Sequence, residues 1–227
     1  MRKTRTPTTI DAAPARGDGP PGADGSVEAI RNAALSVFGE QGFAGSSIRE
    51  LAASSNMSVA GIYHHFPSKL EILFDLMTRT MEGLVDRTNS ALDEAGVDAG
   101  SRLAAAVRAH VLFHTEERAA SFVYNTELRS LDPRRREKIV AQRDAYQRTW
   151  FEIVSEGRRR GEFDVDDVAA VTRALLTMCT AVYSWYRKDG PSTPDEIADF
   201  HCEMARRMVG HNQAATDLVA GSTASRP

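Results

Sequence analysis

The sequence feature that most constrains the fold is the short segment Val59–His65, which stands between two helix-start signals. Ser47 and Glu50 have the S-x-x-E spacing of a capping box, in which both side chains accept backbone N–H groups at the start of a helix. Ser68 and Glu71 repeat this spacing after a proline, a residue that ends the helix before it. The pattern predicts a helix, a tight turn, a second short helix and then a long helix.

A further amphipathic helix is predicted before this unit, from Ser26 to the glycine of Gln41-Gly42. Its apolar residues recur at the three- and four-residue spacing of one helix face: Val27, Ile30, Ala33, Ala34, Val37 and Phe38. Asn56 falls in the turn before the short helix, where asparagine tolerates a positive φ, and Ser58 can cap that helix. Three helices in this order predict a helix-turn-helix, whose second helix has the size that enters a DNA major groove.

The rest of the chain also has helical periodicity, and we find no convincing strand and no internal repeat. The long helix is predicted to reach about Glu94, and later helices are predicted near 101–117, near 119–130, from Pro133 to Arg160, from Asp164 or Asp166 to Trp185–Arg187, and from Thr193 to Val209. The predicted fold is therefore all-α, with about nine helices. The predicted domains are a disordered tail over 1–25, a helix-turn-helix domain over 26–72, a second helical domain over 73–210 and a flexible tail over 211–227.

Composition argues against several classes of protein. The two cysteines, Cys179 and Cys202, stand apart, so neither a zinc cluster nor a disulfide framework is predicted and the expected location is the reducing cytoplasm. No run of about 18 apolar residues is found, and no apolar segment follows the basic N-terminal residues, so neither a membrane span nor a secretory signal is expected. The sequence has no G-x-S-x-G, phosphate-cradling glycine-rich loop or H-E-x-x-H, so we predict no enzyme activity and no cofactor.

The residues Val27–Leu73 resemble the DNA-binding domain of TetR-type transcriptional regulators. The resemblance rests on "AALSVFGEQGFAGSSIRELA" and "MSVAGIYHHFPSKLEIL", and its matching features are Phe38, Gly42-Phe43, Ser46-Ser47, and Tyr-x-x-Phe followed by x-Ser-Lys. It implies a homodimeric repressor that binds double-stranded DNA at a palindromic operator and is released by a small-molecule effector. The second helical domain, 73–210, is then expected to bind the effector and to form the dimer.

The resemblance also implies which residues contact DNA. Ser46 and Ser47 are expected to offer a hydroxyl and helix N-terminal amides to a phosphate. Tyr63 and Lys69 are expected to contact phosphates through the hydroxyl and the ammonium, and His64 to contact the backbone or a base edge. The residues expected at the groove floor are small enough for close approach: Ser58, Val59, Ala60 and Gly61. Phe66 is expected in the core.

Two positions depart from the family pattern, and the local charge is balanced. Asn56 stands where the family often has glycine, and Val59 stands where it often has a basic residue. Between Ser26 and Leu70 there are three basic residues (Arg31, Arg49 and Lys69) and three acidic residues (Glu28, Glu40 and Glu50), and the whole chain has a net charge of −3. We therefore expect modest non-specific DNA affinity and a shallow salt dependence per subunit.

The predicted second domain contains a basic segment over 129–160, with ten basic residues against five acidic ones. It is either a solvated helix face or a site for an anionic ligand, whose phosphates arginine can pair with. The stretch "SWYRKDGPSTPDEIA" is similar to the C-terminal part of a TetR-type branch that senses acyl-CoA thioesters in fatty-acid or steroid breakdown. The predicted ligand-contacting residues are two arginines of the basic segment and four aromatic residues that offer apolar surface: Phe113, Tyr124, Arg134, Arg143, Tyr146 and Trp150.

Two helices that meet at Gly190-Pro191 each carry an apolar stripe. Paired with a two-fold related copy, they would form a four-helix bundle. The predicted dimer interface consists of Leu175, Met178, Val182, Trp185, Ile197, Phe200 and Met204.

Histidine spacing supports a different class of protein. His64 and His65 are adjacent on a helix and point about 100° apart, so they cannot easily share one metal ion. His110 and His114 lie on one face at i and i+4, a spacing that can ligate zinc or nickel. The alternative to a regulator is therefore a helical ligand-carrying or metal-sensing protein. If the pair His110 and His114 binds no metal, it is expected in a ligand pocket or at an interface. We predict no metal.

Overall fold

The computed structural model describes residues 23–210, and within that range every regular element is helical. Ten α-helices and one 3-10 turn follow one another: α1 Ala23–Gly45, α2 Ile48–Ser54, α3 Val59–His65, α4 Lys69–Glu94, α5 Ala99–Glu116, α6 Arg118–Thr126, the 3-10 turn Leu128–Ser130, α7 Pro133–Arg160, α8 Val168–Thr180, α9 Val182–Trp185 and α10 Pro194–Met208. The all-α prediction is confirmed. Residues 1–22 of the tail predicted over 1–25, and the whole tail predicted over 211–227, lie outside the described residues, whereas residues 23–25 are helical.

Local capping signals give the helix starts that the sequence predicts. Ser47 and Glu50 form the complete capping box of α2, and Ser58 accepts the N–H of Gly61 at 3.0 Å to cap α3. Asn56, in the turn between them, has φ 54°. The second box before α4 is half formed: Ser68 accepts the N–H of Glu71, but the Glu71 carboxylate pairs with Arg135 of α7 instead. That side chain therefore joins two helices rather than closing one.

The first helix differs at both ends from the prediction. It begins at Ala23 rather than Ser26, and it continues to Gly45 through a kink at Gly42, where φ is 74° and ψ is 163°. This backbone conformation favours glycine. A Cβ at this position would also lie 3.3 Å from Glu127 Oε1, because the end of α6 packs closely here.

The predicted eighth helix starts later and is divided. Residues 162–167 form an extended loop in which Phe163 and Val165 are buried, and Asp167, not Asp164 or Asp166, caps α8. The helix ends at Thr180, and one further turn forms α9. The loop is fixed by the buried Glu162, which accepts the N–H of Ala99 at 2.6 Å. The expected number of about nine helices holds when α9 is counted with α8.

The apolar core has two parts, one in the three-helix head and one in the larger body. The three-helix head packs around residues of α1, α2, α3 and the start of α4: Ile30, Phe38, Leu51, Ile62, Phe66 and Ile72. The larger body packs around the central helix α5, which contacts α4, α7, α8 and α10. Helix α4 belongs to both regions, so a shift of α4 relative to the body moves the head.

One segment of the described chain, Val168–Trp185, reaches a mean hydropathy of 1.2 over 18 residues. By length and composition alone it could cross a membrane, contrary to the expectation of no such run. In this fold it comprises α8 and α9, includes Arg173, and is 22% buried within the chain.

Candidate functional site

The short helix α3 is held by its buried side and presents its other side to solvent. Ile62 is fully buried, and Phe66, just after the helix, is 8% exposed, which confirms its expected place in the core. The opposite side exposes Tyr63 (51%) and Val59 (37%) together with Ser58, Ala60 and His64. Gly61 is half-buried. The predicted groove residues of α3 therefore share one accessible surface, which we call the α3 surface.

The two neighbouring histidines have different environments. His64 is exposed, whereas His65 is half-buried. Their rings meet edge to face with centroids 5.1 Å apart. His64 is thus available to a partner on the α3 surface, and the contact with His65 restricts its ring. Whether His64 contacts a base or a phosphate stays a prediction.

The serine pair before α2 does not offer free hydroxyls. Ser46 is 7% exposed and donates its hydroxyl to the carbonyl of Phe43 at 2.9 Å, so this hydroxyl is not free for the predicted phosphate contact. Ser47 is exposed, but its backbone N–H and its hydroxyl both donate to Glu50 Oε2, at 2.7 and 2.8 Å. The capping box uses the same groups that a phosphate would need, because one carboxylate occupies the helix start.

Lys69 also has an internal role that sequence reasoning missed. Its ammonium donates to the carbonyls of Phe43 and Ser46, both at 2.6 Å, and lies 4.3 Å from the centre of the Phe43 ring. Desolvation lowers the pKa of Lys69. The ammonium has three donors, so a phosphate contact at this position would share a group that already fixes the end of α1.

The two arginines of the head, Arg31 and Arg49, differ in whether their side chains are free to contact a phosphate. Arg31 pairs with Asp75 of α4, with Nε 2.8 Å from the carboxylate. Arg49, on the first turn of α2, is exposed, and no carboxylate partner is recorded for it within residues 23–210. No DNA contact was predicted for Arg49 from the sequence. Its place at the start of α2, beside Ser46 and Ser47, was the signal that could have identified it as a phosphate contact.

A cavity of about 440 Å³ lies in the body between α4, α5, α6, α7, α8 and α9. Its lining is Thr80, Met81, Leu84, His110, Phe113, His114, Tyr124, Asn125, Arg143, Tyr146, Gln147, Leu176, Thr177, Thr180, Ala181 and Tyr183. The volume falls within the range of roughly 300–1,000 Å³ typical of small-molecule sites. No acidic residue lines it, so the cavity favours a neutral or anionic ligand.

Four of the six predicted ligand residues line this cavity, namely Phe113, Tyr124, Arg143 and Tyr146. The other two predictions are wrong for this cavity. Arg134 is exposed on the first turn of α7, outside it. Trp150 is fully buried in the core, where it packs against His110 with ring centroids 5.4 Å apart. Helical periodicity marked Trp150 as inward-facing but could not separate a core residue from a cavity residue.

Arg143 is the one arginine of the basic segment that lines the cavity. Its Nε donates to the Tyr124 hydroxyl at 3.0 Å and one Nη donates to the Tyr124 carbonyl at 3.1 Å. Elsewhere in the segment, Arg135 pairs with Glu71, and Arg159 and Arg160 pair with a glutamate on their own helix. Most of the excess positive charge of 129–160 therefore lies on the solvated surface. This agrees with the interpretation of the segment as a solvated helix face rather than a site for an anionic ligand.

The histidine pair of α5 belongs to the cavity wall. His110 contacts the Tyr146 hydroxyl through Nδ1 at 2.9 Å and Thr180 Oγ1 through Nε2 at 3.0 Å, so both of its ring nitrogens have protein partners. Burial lowers its pKa well below the usual value and lowers that of His114 to about 4. Across residues 23–210 there is no group of three or more His, Cys, Asp or Glu side chains that could hold a metal ion.

The predicted dimer residues separate into two groups. Leu175, Val182 and Ile197 are buried within the single chain, so their assignment to an interface is wrong. Trp185 is 51% exposed and Phe200 62% exposed, while Met178 and Met204 are half-buried. We call these four residues the apolar patch. Both stripes exist, but the buried residues of each stripe pack inside their own chain.

Comparison with known proteins agrees with this architecture. Residues 30–76 match the family described as bacterial regulatory proteins, tetR family, and residues 96–209 match the tetracyclin repressor-like C-terminal domain. The HTH-type transcriptional repressor KstR2 of Mycobacterium tuberculosis is 26% identical over 166 residues, which cover 72% of this chain and 82% of KstR2.

Two solved structures have a similar fold. A bacterial regulatory protein in the tetR family from Rhodococcus RHA1 has a TM-score of 0.78 and 30% identity, over 83% of this chain and 98% of that one. AibR in complex with isovaleryl coenzyme A and operator DNA has a TM-score of 0.73 and 27% identity, over 79% of this chain and 97% of AibR. Both matches extend over the head and most of the body.

Proposed function

Because this chain belongs to the TetR family of bacterial regulatory proteins, we propose that it represses transcription by binding operator DNA and is released when a small molecule enters the cavity. The observation that carries the proposal is the path of α4. This helix begins beside the α3 surface at Lys69 and lines the cavity further along with Thr80, Met81 and Leu84. A ligand that shifts α4 relative to the body therefore moves the DNA-contacting surface.

The proposed DNA-binding domain is 26–72, and its contacts centre on the α3 surface. Tyr63 and His64 extend from it, and the small side chains beside them allow the helix to approach the base pairs. Arg49 is added to the predicted phosphate contacts because it is exposed at the start of α2. Ser46 is omitted because its hydroxyl is buried and bonded internally.

The proposed effector-binding and dimerisation domain is 73–210, and two copies pair through the apolar patch. Trp185 and Phe200 are large and exposed, and covering them removes apolar area from water. A two-fold dimer places two heads on a palindromic operator, roughly 34–36 Å apart in successive major grooves. A change of a few ångströms in that separation removes much of the specific affinity. Such a protein acts on DNA in the cytoplasm and has no catalytic role.

The proposed effector is an acyl-CoA thioester of lipid or steroid breakdown. The structure of AibR with isovaleryl coenzyme A and operator DNA supports this class. The mostly apolar lining of the cavity suits an acyl group or a ring system. The CoA phosphates would lie outside the cavity wall, because Arg143 is the one basic side chain in that lining and it is already bonded to Tyr124.

The DNA-binding half of the proposal is tested with the full chain and DNA flanking its own gene, using fluorescence anisotropy and a matched pair of variants. His64→Ala should weaken specific binding about 5- to 20-fold, equivalent to the loss of one contact of about 1–2 kcal/mol. His65→Ala, which changes the neighbouring half-buried ring, should weaken it less. Tyr63→Phe removes one hydroxyl and should lower affinity for all DNA sequences similarly, as expected of a phosphate contact.

The rival proposal is a helical ligand-carrying protein without DNA function. Absence of any sequence-specific binding to flanking DNA, with an unliganded protein shown to be folded by circular dichroism, would support that rival and refute the regulator. The effector is sought by mass spectrometry of small molecules that co-purify. Isovaleryl-CoA and octanoyl-CoA are then added to the protein–DNA complex, and release by neither would remove the thioester proposal while leaving the DNA-binding one intact.

A further inference from the structure

His114 is the cavity residue whose hydrogen bonding is incomplete. It is 2% exposed, and its Nδ1 lies 2.7 Å from the hydroxyl of Ser121 on α6. Its Nε2 is buried and has no hydrogen-bond partner. Three other buried polar side-chain atoms in residues 23–210 are unpaired, on Thr78, Gln142 and Trp150, and none of these residues lines the cavity. An unpaired buried nitrogen costs free energy unless a partner arrives.

The Ser121 contact determines which nitrogen of His114 carries the proton. Ser121 is fully buried, and within residues 23–210 His114 Nδ1 is the one recorded partner of its hydroxyl. A buried hydroxyl proton needs an acceptor, so Ser121 donates and Nδ1 accepts. A neutral imidazole with an unprotonated Nδ1 has its proton on Nε2. The unpaired nitrogen is therefore an N–H donor.

The neighbouring histidine shows what a completed network looks like. Thr88 donates its hydroxyl to the Leu84 carbonyl at 2.9 Å, so it accepts from the Tyr146 hydroxyl, 2.9 Å away. Tyr146 in turn accepts from His110 Nδ1–H, which leaves His110 Nε2 to accept from Thr180. Every proton in that chain has an acceptor. His114 differs from His110 in that its Nε2 has no hydrogen-bond partner within the protein.

We propose that His114 is the polar anchor of the effector and that its Nε2–H donates to a carbonyl oxygen on an otherwise apolar ligand group. A neutral donor suits a neutral acceptor here, because the guanidinium of the wall, Arg143, is already bonded to Tyr124. A carboxylate at this place would lose its hydration without a free cation to replace it. The carbonyl belongs either to an acyl thioester or to a ring ketone. The inference rests on the proposed function in taking this cavity as the effector site.

The first test needs no ligand. Long-range proton–nitrogen NMR of histidine-labelled protein identifies the His114 tautomer, with His114→Gln used to assign its signals. The expected result is a protonated Nε2 and an unprotonated Nδ1. A protonated Nδ1 would overturn the inference, because Nε2 would then be an acceptor and would select a ligand hydroxyl or amide instead.

The second test compares ligand pairs that differ in one carbonyl oxygen, by calorimetry on the full chain. The acyl arm uses octanoyl-CoA and its thioether analogue S-octyl-CoA, and the ring arm uses 2-decalone and decalin. We expect the carbonyl member to bind about tenfold more tightly in at least one arm, and the arm that discriminates identifies the source of the carbonyl. Failure to discriminate in both arms would overturn the inference.

Two variants separate the anchor from general packing. His114→Phe keeps a ring but removes the donor, so the carbonyl ligand and its analogue should then bind with about equal affinity. His114→Gln keeps an N–H donor and should retain part of it. Discrimination that survives His114→Phe would overturn the inference. Operator binding is measured in the same samples: a ligand that binds through its carbonyl without releasing DNA would refute the proposed function and leave the anchor standing.

Discussion

Glu127 connects the effector body to the head by a single side chain, so its removal should measure how firmly the two are joined. It follows α6, two of whose residues line the cavity. Its Oε1 accepts the backbone N–H of Phe43 at 3.1 Å, and its Oε2 accepts the hydroxyl of Ser130 at 2.7 Å. The carbonyl of the same Phe43 accepts from Lys69. One residue of the head is thereby held by α6 and by α4.

Glu127→Ala should destabilise the protein by about 1–2 kcal/mol. A hydrogen bond to a charged group contributes about 1.5–3 kcal/mol. We take a value around the lower limit of this range because Glu127 and Phe43 are half-buried and water can replace part of the contact. Glu127→Gln keeps an acceptor oxygen for Phe43 and should lose about half as much. For a chain of this size, 1 kcal/mol corresponds to roughly 2–4 °C in Tm.

The measurement is urea unfolding at one fixed protein concentration, because dimer stability depends on concentration, together with amide exchange at Phe43. Glu82→Ala, an exposed glutamate of α4, is the control and should change stability by less than about 0.5 kcal/mol. If Glu127→Ala behaves like this control and the Phe43 amide keeps its protection, Glu127 does not hold the head to the body. Faster exchange at Phe43 without a change elsewhere would show that the joint opens locally.

Three further predictions test the body and the turn. Acidification should destabilise the protein, because burial lowers the pKa of His110 and His114 below the usual value and the unfolded chain therefore binds protons first as the pH falls. The stability present above about pH 6.5 is lost toward pH 4, by about 3 kcal/mol for His114. His114→Gln should flatten this pH profile in urea titrations. Gly157→Ala places a Cβ 2.2 Å from the Phe163 ring, so it should cost about 1–3 kcal/mol in urea unfolding, and Phe163→Ala should make the same change much less harmful. Asn56, with φ 54°, should tolerate Asn56→Gly with little change, whereas Asn56→Ala should lower stability by about 1 kcal/mol in the same assay.

Local signals in the sequence predicted the helix starts because each depends on residues close together in the chain. The Ser47 box and the Ser58 cap form as the spacing indicates, and Thr193 and Glu196 form a box of the same spacing at the start of α10. Such caps need no information about packing, since both partners lie within one turn. The Ser68 signal was half correct because Glu71 had a competing partner, Arg135, 64 residues away.

Long-range placement limited the prediction of the sites. Periodicity showed that Leu175, Val182 and Ile197 face an apolar environment, but the same stripe arises whether the partner is the chain itself or a second copy. Trp150 was misplaced for the same reason. The Lys69 ammonium donates to the Ser46 carbonyl across 23 residues, an arrangement that no local pattern encodes.

The cavity lining was also predicted only in part from the sequence. Phe113, Tyr124, Arg143 and Tyr146 were identified from their residue types in the second domain, and all four line it. The lining residues of α4 and α8 were not identified, because they meet the others only in the fold. The i, i+4 spacing of the α5 histidines indicated a polar site, and the structure shows that its bonding is to hydroxyl groups.

Operator DNA and a ligand are expected to compete because they favour different conformations of the protein, so their binding should be thermodynamically linked. The dissociation constant of the operator is measured with and without saturating octanoyl-CoA or isovaleryl-CoA, whichever binds, and that of the ligand with and without operator. Coupling is reciprocal in binding free energy, so both constants should rise by the same factor, at least about tenfold, in the same buffer. A ligand that fills the cavity and leaves the operator constant unchanged would contradict the account.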